Sequence, residues 1–108
     1  MMLMIFAGTI ANAADTQKGI ASWYGKENRK SSTGKILNHN TPALAHKTLP
    51  IGTYVKVVNT KNKKSVVAVV EDRGPYIAGR IVDLNIPAAK ELGIIESGLA
   101  KVTVEKIK

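Results

Sequence analysis

A small closed β-barrel is the fold this sequence predicts, on three observations. Short Val-rich runs recur along the chain, each bounded by turn residues. Only one stretch carries paired helix start and stop signals. The 108 residues contain no Cys, so an apolar core must hold the fold without disulfides. Short Val-rich strands would present sticky edges if the sheet stayed open, and closure removes those edges.

The elements follow in order. Residues 1–10, "MMLMIFAGTI", are almost wholly apolar, and Ala11-Asn12-Ala13 offers the small-x-small pattern that a signal peptidase reads. A secretory leader over 1–13 is expected. The basic stretch that usually opens such leaders is absent, which a start upstream of Met1 would explain. The run falls well short of the roughly 20 apolar residues of a bilayer-spanning helix, so no transmembrane anchor is expected. The barrel domain is placed at 19–107.

"GIASWYG", 19–25, alternates as a short strand closed by Gly25, and 26–42 is a polar, Ser- and Asn-rich segment that reads as a long loop. "YVKVVN", 54–59, and "SVVAVVE", 65–71, are β-branched runs joined by five residues suited to a hairpin. The second is apolar at each position from Val66 to Val70, which predicts cover on both of its faces. "RIVDL", 80–84, is a further strand. Asn85 then caps a helix "IPAAKEL" with Pro87 in its first turn and Gly93 at its end. "KVTVEKI", 101–107, alternates as the last strand. Five or six short strands and one short helix result, in one domain expected to be monomeric.

Sixteen Lys and Arg against eight Asp and Glu give a net charge of +8, spread from Lys18 to Lys108. A diffuse positive field suits a polyanion: nucleic acid, a membrane surface or an acidic wall polymer. Export would exclude the nucleic-acid partner.

Asp72 closes the apolar run 66–70 and opens Asp72-Arg73-Gly74-Pro75. A carboxyl at the end of a buried strand is a candidate general acid. On these five residues alone a turn cap paired to Arg73 or Arg80, with Gly74 extended before Pro75, ranks ahead of that role. His46 follows Ala43-Leu44-Ala45 and on its local sequence reads more readily as a turn or core histidine than as a catalytic one, and His39 sits in the polar loop. The two His, without thiols or paired carboxylates, make a poor metal set, and no Ser lies in a nucleophile elbow. No metal or cofactor is expected. Trp23, Tyr24 and Tyr76 are candidate stacking surfaces for sugar rings, with core packing the other reading for Trp23.

The ordered set "GIASWYG", "SSTGK", "ALAHKTLPIGTYVKVVN", "VVEDRGPY" and "RIVDLN" with "AAKELG" resembles the rare lipoprotein A family, from Gly19 to about Lys106. The resemblance implies a six-stranded double-psi β-barrel with one short helix and a long active-site loop. It implies an endolytic lytic transglycosylase, acting on peptidoglycan strands without stem peptides and leaving 1,6-anhydro-N-acetylmuramic ends. Asp72 and His46 match the family's catalytic positions. Asp83, Tyr24, Thr33, Arg73, Arg80 and Tyr76 would support the site or line the glycan groove. Where the family has Gly-Glu, this chain has Gly34-Lys35, a cation for a carboxylate. Lys35 carries the alternative, a non-catalytic peptidoglycan-binding or wall-loosening barrel. Either reading places the protein in the periplasm or outside the cell. With no Cys, no lipid anchor can be attached through a cysteine.

Overall fold

The computed structural model describes residues 16–24 and 40–108. These hold strands β1 (Thr16–Trp23), β2 (Ala43–His46), β3 (Tyr54–Asn59), β4 (Ser65–Asp72), β5 (Arg80–Leu84) and β6 (Leu99–Lys106), with helix α1 (Ile86–Leu92) between β5 and β6. The leader expected over 1–13 lies outside the described residues, as does 25–39, most of the expected active-site loop.

The strands close into a barrel in the order β1-β5-β2-β4-β3-β6. Seams β1–β5 and β2–β4 are parallel and the other four antiparallel. Parallel neighbours need long crossovers. Residues 73–79 do not join parallel neighbours: they leave the end of β4, pass β2 and enter β5, which runs antiparallel to β4. Ala21, Leu44, Val55, Val57, Val66, Ala68, Val70, Val82, Leu84, Val102 and Val104 fill the interior. Helix α1 lies chiefly against β4 and adds Ala88, Ala89 and Leu92 to the same core.

The helix begins and ends where its sequence signals lie. The Asn85 side chain accepts from the Ala88 amide at 3.1 Å, and Gly93 at φ 77 donates back to the last turn. Asn85 is fully buried and also ties the helix to β2, its Oδ1 accepting from Ala43 N at 3.0 Å and its Nδ2 donating to Thr41 O at 2.7 Å.

Four expectations are corrected. Ala43–His46 is a strand although it holds no β-branched residue. It is built by pairing on both sides, with β4 and with β5. Strands β1 and β6 begin earlier than their alternation suggested, at Thr16 and Leu99, because they pair with each other over seven residues. Strand β4 is covered on one face only: Val66, Ala68 and Val70 are buried while Val67 is 51% exposed, on the outside of the wall opposite Lys56. Gly74 adopts φ 121 before Pro75 instead of an extended conformation, a backbone region favouring Gly.

Gly19 faces a tight approach: a Cβ there would meet Ile81 Cγ2 at 2.6 Å and Cγ1 at 3.0 Å. Gly19→Ala is therefore expected to destabilise the barrel by about 1–3 kcal/mol through overpacking. Urea titration of this variant, with and without Ile81→Ala to reopen the space, checks the cause, since the second change should recover part of the loss.

Candidate active site

Strand β2 organises the site because it lies between the strands that carry both carboxylates. Leu44 pairs with Val70 on one side and Leu84 on the other, all three in the core. One residue on, Ala45 pairs with Asp83 of β5 and with Asp72 of β4, after a register shift that inserts Glu71. An extra residue of this kind re-aims the side chains beside it. Without the shift, Asp72 would continue the inward set of Val66, Ala68 and Val70. With it, Asp72 joins the face that carries Ala45 and Asp83. The two Asp flank Ala45 across two strand spacings, so their Cα atoms lie about 10 Å apart. Ser22 of β1 continues the row, pairing with Asp83 and donating Oγ–H to Asp83 Oδ1 at 2.9 Å. Asp72 and Ser22 are buried and Asp83 is half-buried.

Tyr24, just past β1, donates its hydroxyl to Glu71 Oε2 at 2.7 Å. The sequence reading did not single out Glu71. Its adjacency to Asp72 was visible, but its partnership with Tyr24, 47 residues away, follows from the barrel's closure.

His46 ends β2 and is buried. Its Nδ1 accepts from the amides of Thr48 and Leu49 at 3.1 and 3.0 Å, which requires that nitrogen to be unprotonated. The neutral ring then carries its proton on Nε2, which faces Gln17 Oε1 at 2.9 Å. Arg73 braces the same turn, its Nη1 donating to His46 O at 3.0 Å and Leu49 O at 2.7 Å. Both ring nitrogens of His46 are thus engaged by the turn and by β1. In this geometry His46 holds the segment that follows β2, and through it the position of Arg73.

Burial, with the charges of Arg73 and Lys47, lowers the His46 pKa from its ordinary 6.5. The folded state thus binds the proton less readily than the unfolded chain. The stabilisation is complete above about pH 6.5 and is lost as pH falls through the lower folded value. The melting temperature is expected to fall on acidification below that point. His46→Asn, whose amide oxygen can accept from the turn, should flatten the dependence; an unchanged slope in the variant would contradict this account.

Among the other expected site residues, Arg80 opens β5 beside Ile20, half-buried, and Tyr76 stands 76% exposed on the 73–79 crossover. Trp23 packs against the core, the second of its two readings. Thr33 and Lys35 lie outside the described residues. Among the described residues, no three of His, Cys, Asp and Glu come together to hold a metal ion, and no helix is long and apolar enough to cross a membrane.

Fold and site together define a class: a six-stranded double-psi β-barrel with two aspartates on one outer row, beside the 73–79 connection that passes β2. Residues 16–104 match the family described as lytic transglycolase, and the chain belongs to that family. Two similar curated proteins are the endolytic peptidoglycan transglycosylases RlpA of Pasteurella multocida and Neisseria meningitidis. The first is 48% identical over 92 residues, covering 83% of this chain and 31% of that protein. The second is 50% identical over 94 residues, covering 85% and 39%. The protein of the same name from Campylobacter jejuni is 44% identical over 101 residues, covering 92% and 37%. The chain thus spans between about three and four tenths of the length of these relatives. Among solved structures, the Streptomyces papain inhibitor superposes with a TM-score of 0.69 at 18% identity, covering 86% of this chain and 94% of that one, a likeness of fold alone.

Proposed function

We propose that this barrel is a lytic transglycosylase that cleaves peptidoglycan glycan strands, with Asp72 as acid and then base. The observation that carries the reading is the register shift at Ala45, which sets Asp72 on the same outer row as Asp83, with Ala45 between them, in a barrel of this family. In the proposed reaction the Asp72 carboxyl protonates the oxygen linking N-acetylmuramic acid to N-acetylglucosamine, and the C1–O bond breaks with an oxocarbenium-like state at C1. The muramyl C6 hydroxyl then attacks C1, giving up its proton to the Asp72 carboxylate and closing the 1,6-anhydro ring. No water enters, so one carboxyl serves both steps.

In this reading Asp83, held by Ser22, and the Tyr24–Glu71 pair fix the sugar beside Asp72, and Tyr76 offers an exposed ring for stacking. His46 orients the site through its turn. Strands stripped of stem peptides are the favoured substrate. The protein acts as a monomer in the periplasm or outside the cell, after removal of residues 1–13.

The test is digestion of purified glycan strands, with and without stem peptides, followed by mass spectrometry of the soluble products. Fragments with 1,6-anhydro ends, released faster from stripped strands, are expected. Lys35, a cation where the family carries Glu, favours a second reading in which the barrel binds glycan without cutting it. Retention on insoluble peptidoglycan without fragment release, with cleavage appearing in Lys35→Glu, would replace the first reading by the second.

A further inference from the structure

The row of Asp72, Ala45, Asp83 and Ser22 does not end at β1. Ser22 pairs onward with Leu99 of β6, which carries the same outer face about 19 Å along the sheet from Asp72, four strand spacings away. Leu99 lines a cleft of about 880 Å³. Its floor is Ile20, Leu99 and Ala100, one wall is the end of the 73–79 crossover with Ile77 and Arg80, and the other is the β3–β4 turn with Lys61. A second hollow of about 480 Å³ abuts it, sharing Ile20, Thr60 and Lys101 and adding Lys18.

The chemistry of this trough is one-sided. Lys18, Lys61, Arg80 and Lys101 line it and, among the described residues, no acidic residue does. Among the described residues none of these four cations has a carboxylate partner. Apolar floor and charged rim suit a ligand with flat, weakly polar rings and carboxylates spaced along it. A phosphate polymer would meet the charges but would gain nothing from Ile20, Ile77 and Leu99, two of which stand 55% and 45% exposed at Ile77 and Leu99.

We propose that the trough is a distal subsite of the glycan groove, whose cations read the free lactyl carboxylates of muramic acid. A strand that follows the curve of the barrel wall along this row from Asp72 would reach it. Removing the stem peptide exposes one carboxylate per muramic acid, whereas an attached peptide turns that group into an amide. The trough therefore supplies a physical origin for selecting stripped strands, and the inference rests on the glycan-cleaving reading above.

The test uses the full chain carrying Asp72→Asn, to suppress turnover, and measures dissociation constants for two probes: stripped glycan strands, and the same strands with their carboxylates converted to primary amides. The amidated strands are expected to bind about fivefold more weakly, the scale of two exposed ion pairs. Adding Lys61→Ala and Lys101→Ala should bring the two constants together by weakening the free-acid complex alone. Equal binding of both probes to the parent, or a preference that survives the lysine changes, overturns the subsite while leaving the glycan-binding reading intact. Binding of polyglycerol phosphate with no binding of either glycan overturns both.

Discussion

Asp72→Asn is expected to lower the rate of glycan cleavage by about 10²–10⁴-fold while the barrel stays folded. The substitution keeps the shape of the side chain but replaces its carboxyl by an amide, which can neither deliver nor retake a proton. Asp72 sits at the last position of β4, where Ala45 pairs it across the sheet, so the backbone there is fixed by strand pairing and the variant should unfold close to the native temperature. The effect should fall on kcat more than on KM, because the proton moves in the transition state and not on binding. Product release followed by chromatography, with a thermal melt of the same sample, separates a chemical role from a structural one. Loss of activity together with a large fall in melting temperature would place Asp72 among the structural residues.

The largest stability effect is expected at Asn85. Its fully buried side chain serves three backbone groups: the amides of Ala43 and Ala88 and the carbonyl of Thr41. Asn85→Ala leaves these without that partner, and each buried polar group stranded in this way costs about 1–3 kcal/mol. Part is recovered by local relaxation, so a loss of about 3–5 kcal/mol is expected, a large share of the 5–15 kcal/mol that stabilises typical domains. The melting temperature should fall by roughly 15 °C or more on the usual scaling for a chain of this size. Because Ala43 starts the strand that carries Ala45, the variant should also lose activity beyond what unfolding explains at low temperature. A variant melting within a few degrees of the native protein would show that the Asn85 network contributes little.

These two residues differ in how far the sequence reveals them. The cap role of Asn85 is local, written in Asn-Ile-Pro with Gly93 at the far end, and the helix sits where those signals lie. Its hold on β2, 42 residues back, is not local. Strand β2 itself was missed because Ala-Leu-Ala-His has no intrinsic strand preference and becomes a strand only between two neighbours. The apolar run in β4 predicted a strand correctly but not its exposure, since a barrel wall buries one face and the outer neighbour of Val67 is Lys56. Asp72 is a candidate from its place after an apolar run, and the family resemblance adds Asp83 to it. What brings them to one face is a single inserted residue, Glu71, and a register shift depends on the partner strand, which no local pattern encodes. The Tyr24–Glu71 contact and the partners of the His46 ring were hidden for the same reason.

In the proposed reaction the glycan is broken without water entering. Digestion of stripped strands in heavy-oxygen water tests it most directly. New muramyl ends are expected to be lighter than hydrolytic ends by one water and free of the heavy isotope. New reducing ends that carry the heavy oxygen would contradict it, as would strands that remain uncut.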